Sequence, residues 1–276
     1  MDPDDMARAP KNRLHYAWAI ALTGTLVLFS CLGLGRFSLG MLLPSMGKTL
    51  DLTYSQMGLI GTGNFTGYMV AVFIAGITAK ALGPRRTIVL GLILVGASMA
   101  AISRAMDFLG VMALYTATGI GSGLANVPMM GLVSHWFLKS TRGRAAGAML
   151  SGNGMAIVMT GMFIPWANAV LGEEGWRTGW LTMGLVSLMI SGAAAIFLRN
   201  DPKEKGLAPL GTADGNGLAG IRPDQPPTRR QKTLVHLGAI YLLFGATYSV
   251  YVTFIVTTLV NERGLGQGAA GRFWAV

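Results

Sequence analysis

Long apolar runs, separated by short polar connections, make up most of the chain. The first occupies residues 16–46, and its 21 residues from Tyr16 to Arg36 would span ~30 Å as a helix, one hydrocarbon thickness. Six further runs approach or exceed the ~20 residues that a transmembrane helix needs. The pattern predicts an all-α membrane protein, a polytopic helical bundle of seven spans. The six further runs cover residues 56–79, 87–104, 108–137, 145–170, 176–198 and 234–260.

The polar segments divide the chain into four parts. Residues 1–15 form a polar cytoplasmic tail, and residues 16–199 form a six-helix domain. Residues 200–233 are rich in Pro and Gly without apolar periodicity, which is typical of a linker. Residues 234–276 contain a seventh helix and the opening of an eighth that is too short to span a membrane. We therefore expect a fragment, or a prematurely ended reading frame, that lacks a C-terminal half.

Composition and charge agree with a membrane location. Only 12% of the residues are charged and 52% are hydrophobic, whereas soluble domains carry about 25% charged residues. The net charge of +10 comes from Lys and Arg in the connections, so we expect membrane lipid and not nucleic acid as a partner. Sixteen of the 22 basic residues lie in the tail, the second–third and fourth–fifth connections and the segment after the sixth span. The positive-inside rule predicts a cytoplasmic N-terminus in the inner membrane.

Arg36 is a charge set inside an apolar run. A guanidinium at the bilayer centre costs roughly 2.5–3.5 kcal/mol, so it faces a wet cavity or a partner, or it snorkels to the headgroups from near a helix end. The 21-residue count places Arg36 towards the far end of its helix, and both alternatives stay open. All twelve Asp and Glu lie in predicted tails and loops, so a cavity around Arg36 would be electropositive. The planar guanidinium suits a carboxylate, which predicts a small organic anion such as a monocarboxylate as substrate.

Other polar side chains inside the spans are candidates for the substrate path. Thr62-Gly63-Asn64 and Ser151-Gly152-Asn153 repeat 89 residues apart, which indicates a faint three-plus-three repeat of the kind that carriers contain. Asn126 lies two residues before Pro128, whose ring leaves a backbone carbonyl free. Interhelical hydrogen bonding is the alternative role of each Asn. The predicted substrate-binding residues are Arg36, Asn64, Asn126, Asn153, Tyr248 and Tyr251.

Enzyme motifs are incomplete in this sequence. Gly47-Lys48-Thr49 ends like a phosphate loop, but Leu42 stands where its first glycine should be. The G-x-G runs lack the last glycine of a dinucleotide fingerprint, and no His and Cys residues have zinc-like spacing. We therefore predict no enzymatic activity, no catalytic residue, no metal and no cofactor.

The connection from Gly76 to Arg86, GITAKALGPRR, resembles the signature between helices two and three of the major facilitator superfamily. Residues 119–137, GIGSGLANVPMMGLVSHWF, and residues 32–46, LGLGRFSLGMLLPSM, resemble bacterial permeases of that family. The chain departs from the signature at Lys80, where the family has an acid, and at Pro84, where it has Arg. The resemblance implies a conformational loop made of Gly76, Lys80, Gly83, Arg85 and Arg86.

The same resemblance implies the fold and the function. It implies a six-helix N-terminal domain plus the start of a second domain, whose first helix lines a central cavity with Tyr248 and Tyr251. It also implies secondary active transport of a small solute by alternating access, with a proton as a candidate coupling ion. The alternative is a non-transporting membrane fragment or interaction module, because half of the cavity wall would be absent.

Overall fold

All regular elements that the computed structural model describes, in residues 15–211 and 227–275, are helices. Seven of the described helices are long and apolar enough to cross a membrane. The predicted all-α fold with seven spans is therefore confirmed. The helices are α1 (Tyr16–Thr49), α2 (Tyr54–Leu82), α3 (Pro84–Ile102), α4 (Phe108–Trp136), α5 (Lys139–Leu171), α6 (Gly175–Phe197), α7 (Pro227–Thr257, continued as a π-helix over Thr258–Glu262) and α8 (Gln267–Ala275).

The segments outside the spans differ in part from the expected boundaries. Of the predicted tail, only His15 is described, and its side chain accepts a hydrogen bond from the backbone N–H of Ala17 at the start of α1. Of the predicted linker, residues 200–211 and 227–233 are described. Helix α7 begins at Pro227 and not at residue 234, because proline is well suited to the first turn of a helix.

Helix α1 is longer than its first apolar stretch suggested. It is α-helical over Tyr16–Leu28, π-helical over Phe29–Phe37 and α-helical again over Leu39–Thr49. Thirteen residues thus separate Arg36 from Thr49, which is ~20 Å along a helix. The expectation that Arg36 lies near the far end of its helix is wrong. The apolar pattern continues beyond the charge, and the helix ends more than three turns after Arg36.

The predicted basic connections meet at one end of the bundle, here called the basic end. The hydroxyl of Tyr16 donates to the carbonyl of Phe197 (2.7 Å), and the indole of Trp136 donates to the carbonyl of Arg199 (3.0 Å). Leu210 pairs with the α4–α5 junction through two backbone hydrogen bonds of 2.9 Å, to Trp136 and from residue 138. The first part of the predicted linker therefore packs against the helices.

The opposite end, here called the far end, is closed by its own polar contacts. The indole of Trp176 at the start of α6 donates to the hydroxyl of Thr49 at 2.7 Å. The guanidinium of Arg177 donates to the carbonyls of Ser103 (3.1 Å) and Ala105 (2.7 Å) in the α3–α4 connection. These bonds satisfy polar groups where the spans emerge.

Glycines bring the helix backbones into direct contact. A Cβ on Gly67 of α2 would lie 2.2 Å from the carbonyl oxygen of Thr116 on α4, and one on Gly119 of α4 would lie 2.1 Å from that of Asn64. Gly63 and Gly67, which form a G-x-x-x-G motif, thus both lie at a close helix contact with α4. Small residues at such crossings replace the hydrophobic driving force that lipid cannot provide.

Helices α7 and α8 join the bundle at the far end. A Cβ on Gly40 of α1 would lie 2.6 Å from the carbonyl oxygen of Val252, and one on Gly271 of α8 would lie 2.1 Å from that of Gly161 on α5. Between Thr233 and Tyr251, by contrast, every residue of α7 is exposed or half-buried. The first half of α7 therefore packs little against the other described helices.

Candidate functional site

Aromatic rings hold the charge of Arg36. Its guanidinium carbon lies 4.2 Å from the ring centroid of Phe65 and 4.8 Å from that of Tyr68, both on α2. Such cation–π contacts contribute about 2 kcal/mol where water is excluded. Among the side chains that the structure describes, no carboxylate pairs with Arg36. The guanidinium is therefore positioned without being neutralised by a described carboxylate.

The π-helical segment around Arg36 is stabilised from α2 and α4. The hydroxyl of Tyr115 donates to the carbonyl of Arg36 at 3.0 Å. The amide of Asn64 donates to the carbonyls of Gly35 (3.4 Å) and Tyr115 (3.0 Å). These donors satisfy backbone carbonyls in a stretch of irregular helix, a feature often found at functional sites. In this structure the Asn64 amide makes interhelical bonds.

Arg36 and Asn64 share a narrow cleft, here called the Arg36 cleft. Its volume is about 10 Å³, which is close to the minimum that admits one water molecule. Residues from α7 cover one side of it, so the cleft is closed in this conformation. The lining residues are Arg36, Leu39, Gly40, Gly61, Asn64, Phe65, Tyr115, Val252 and Thr253.

Asn126 is connected to Arg36 through Tyr68, a residue that the sequence analysis missed. The amide of Asn126 donates to the Tyr68 hydroxyl at 2.7 Å, while its own carbonyl oxygen is buried without a hydrogen-bond partner. Tyr68 lies four residues after Asn64, a spacing that places both side chains on one face of α2. That spacing, together with a tyrosine deep in a span, was the available signal.

Tyr248 and Tyr251 line a second cavity, here called the aromatic cavity, of about 380 Å³ between α1, α5, α7 and α8. The ring of Tyr248 packs edge-on against Phe37, with centroids 6.1 Å apart. Asn153 precedes a lining glycine, and its carbonyl oxygen is buried without a partner. The structure thus brings both tyrosines into one cavity, whereas Asn153 is not among its lining residues. The lining residues are Phe37, Gly154, Ile157, Val158, Tyr248, Tyr251, Val252, Phe273, Trp274 and Ala275.

The five predicted loop residues lie at the basic end in two groups. Gly76 and Lys80 are exposed on α2. Gly83 has a φ of 85° and turns the chain into α3, and the backbone N–H of Arg85 donates to the side chain of Asn200 at 2.8 Å. The side-chain amide of Asn200 therefore links the loop to the segment after α6 through a hydrogen bond. The groove beside this contact contains Leu82, Arg85, Arg86, Val89, Leu90, Ala195 and Asn200.

Metal-ligating residues do not cluster in the part of the chain that the structure describes. No group of three or more His, Cys, Asp or Glu side chains there could hold a metal ion. The carboxylates of the described residues lie in connections or at helix ends. The chemistry available at the two cavities is therefore that of one cation, aromatic faces and amide or hydroxyl groups.

Sequence comparisons relate the chain to bacterial transporters. The family model described as Major Facilitator Superfamily matches residues 25–276. A hexuronate transporter of Bacillus subtilis is 22% identical over 232 residues, which cover 84% of this chain and 54% of that protein. A probable sulfoacetate transporter of Cupriavidus necator is 22% identical over 247 residues, covering 87% and 57% respectively. The chain spans about half the length of the curated relatives it matches.

Solved structures show the same arrangement of helices. A bacterial homologue of the human lysosomal transporter Spinster, in an inward-facing and unoccupied conformation, superimposes with a TM-score of 0.73 at 17% identity, over 96% of this chain and 60% of that one. A D-xylose–proton symporter gives a TM-score of 0.67 at 13% identity, over 95% and 65%. At these identities the likeness concerns the fold.

Proposed function

Because the chain belongs to the Major Facilitator Superfamily, we propose that it serves the transport of a small organic anion, such as a monocarboxylate, across the inner membrane by alternating access. The observation that carries the proposal is Arg36, a cation in the middle of a span that is held by two aromatic rings and by no described carboxylate. Arginine binds two carboxylate oxygens at once through its planar fork. Relatives named for hexuronate and sulfoacetate, both anions, support this choice.

The packing of α7 differs along its length. Helices α7 and α8 contact α1 and α5 at the far end, while the first half of α7 is exposed. The positive-inside rule puts the basic end in the cytoplasm. In this proposal the Arg36 cleft widens when α7 moves away from Gly40. That a proton is the coupling ion stays a prediction. The alternative, that the chain is a non-transporting membrane module, also stays a prediction.

Anion binding by the purified chain in detergent tests the proposal. Isothermal titration of benzoate, lactate and their neutral amides should show binding of the acids alone. The Arg36→Met variant should bind the acids about 10- to 100-fold more weakly, because a hydrogen bond to a charged group contributes about 1.5–3 kcal/mol. The Arg36→Lys variant should lose less affinity for the acids, because lysine keeps the positive charge but lacks the planar donor arrangement of the guanidinium.

The matched control is Arg104→Met, which removes the same charge from an exposed position in the α3–α4 connection. It should bind the acids like the unaltered chain. Unchanged acid binding by a monodisperse Arg36→Met variant would overturn the proposal. Counterflow of the bound acid in proteoliposomes separates transport from binding alone.

A further inference from the structure

We propose that the aromatic cavity binds the body of the substrate, and that the substrate is a monoanion with an apolar body and one hydrogen-bond acceptor that pairs with the indole N–H of Trp274. The inference rests on the proposed function, which assigns the negative charge to Arg36. It goes beyond that function by naming the chemical class of the rest of the molecule.

The walls of the aromatic cavity favour an apolar body. Its lining side chains are aliphatic or aromatic, and the lining residues that carry a polar side-chain atom are Tyr248, Tyr251 and Trp274. A substrate body with many hydroxyl groups would lose its hydrogen bonds to water and find too few partners in this cavity, which costs free energy. An apolar ring gains about 25 cal/mol for each Å² removed from water. The volume of about 380 Å³ lies at the small end of the ~300–1,000 Å³ range of ligand sites.

Trp274 is an exception among the buried tryptophans of the described chain. The indole of Trp136 donates to the carbonyl of Arg199, and that of Trp176 donates to the hydroxyl of Thr49. The indole of Trp180 donates to the sulfur of Met46. The side chain of Trp274 is 9% exposed, and its indole nitrogen is buried without an acceptor among the described residues.

An unmade buried hydrogen bond of this kind is costly. The ring of Trp274 is positioned by α1, since its Cη2 atom would lie 3.6 Å from a Cβ on Gly40. A ligand acceptor reaching this N–H would make the missing bond.

The Arg36 cleft and the aromatic cavity are neighbours. Val252 lines both, and Phe37, which follows Arg36 in α1, lines the aromatic cavity. Arg36 is the one cation among the described residues that line these two cavities. A second negative charge would therefore lie against apolar walls without a partner, which is strongly unfavourable. These observations favour a monoanion over a phosphate monoester.

Four probes test the inference by isothermal titration into the purified chain. 4-Methoxybenzoate carries the anion, an apolar ring and an acceptor, and 4-ethylbenzoate has the same shape without the acceptor. Glucuronate is a monoanion with a hydroxylated body, and 4-methoxybenzamide is the neutral analogue. We expect 4-methoxybenzoate to bind about 3- to 10-fold more tightly than 4-ethylbenzoate, the effect of one hydrogen bond, and glucuronate to bind most weakly of the three acids.

Two variants assign these preferences to the cavity. Trp274→Phe keeps an aromatic ring at this position but removes the donor, so the two benzoates should bind equally. Gly154→Leu should weaken both benzoates at least tenfold, because a Cβ on Gly154 meets nothing within 4 Å and its side chain extends into the cavity. The matched control is Gly147→Leu on the same helix, which is equally open and lies outside the cavity lining; its affinities should be unchanged.

The outcomes separate this inference from the proposed function. Equal binding of the two benzoates by the unaltered chain, a preference that survives Trp274→Phe, or glucuronate binding as tightly as 4-methoxybenzoate would overturn the inference. Binding of none of the four probes would do the same. If 4-methoxybenzamide binds as tightly as its acid while Trp274→Phe still weakens both, the cavity assignment stands and the anion proposal fails.

Discussion

The two halves of α7 are alike in apolar character and opposite in packing. From Thr233 to Tyr251 the residues are exposed apart from the half-buried Gly245 and Ser249, whereas Val252 and Thr253 are buried against α1 and α2. The difference lies in the partners, because Gly40 admits the α7 backbone. Hydrophobicity brings a helix into the membrane, but small residues on its neighbours decide where it packs.

Glycines show the same contrast between the two ends. At the far end, Gly161 and Gly271 meet each other's backbone, whereas Gly238 in the first half of α7 has nothing within 4 Å of an added Cβ. Among the described residues, α7 and α8 are therefore closely packed at the far end, and the first half of α7 is not. Changes at the two ends should therefore have unequal effects.

The largest expected effect comes from Gly271→Val. The new side chain would collide with the backbone of Gly161, and overpacking of this kind costs about 1–3 kcal/mol. Disulfide cross-linking of Asn168→Cys with Gln267→Cys, in a Cys31→Ala background, reports closure of the far end. Its yield should fall about fivefold or more. The matched control is Gly238→Val, which should leave cross-linking intact; an equal loss in both variants would contradict the contrast.

A smaller effect is expected from Asn168→Ala. The Asn168 amide donates to Gln267 at 2.8 Å and to Ser45 at 3.4 Å, joining α5 to α8 and α1. Losing a hydrogen bond costs about 1 kcal/mol, which would raise the open population about fivefold. Labelling of Ala269→Cys, a half-buried position two residues after Gln267, by a membrane-impermeant maleimide in the Cys31→Ala background should rise accordingly. The control is Thr247→Ala, whose hydroxyl bonds within α7 to Leu243 and Phe244 and which should leave labelling unchanged.

The smallest effect is expected from Gly238→Ala. Nothing within 4 Å opposes the added methyl group, and Ala favours a helix by up to about 1 kcal/mol over Gly. The thermal unfolding midpoint in detergent should therefore stay equal or rise slightly. A clear fall would show that the first half of α7 packs closely against another helix. It would then resemble the second half.

Span positions were predictable because they depend on apolar character summed over ~20 neighbouring residues. The seven predicted spans all correspond to helices. Arg36 shows the limit of that local information. A charge inside an apolar run suggests a helix end, yet α1 continues to Thr49, and Phe65 and Tyr68 of α2 receive the guanidinium. A window of ~20 residues cannot detect contacts between side chains that lie 29 or more residues apart in the chain, as Arg36 and Phe65 do.

The candidate site was predictable in part for the same reason. Arg36 and Asn64 stood out as polar residues in apolar surroundings, but only the packing shows that the Asn64 amide is bound to backbone carbonyls of two other helices. Tyr68 carries only the signal of its four-residue spacing from Asn64, and Trp274 carries none. Each becomes a candidate through what lies beside it, a guanidinium and an unoccupied cavity respectively.

The amino-acid sequence by itself determined that this chain crosses a membrane through seven helices, with its basic connections grouped at one end and Arg36 inside the first span. Hydropathy and charge act locally, so the order of residues is sufficient for these features. Tertiary structure decided which end is closed, which rings hold Arg36 and which tryptophan lacks an acceptor. Those features depend on the fit between distant backbones, where one glycine or one side chain changes the outcome.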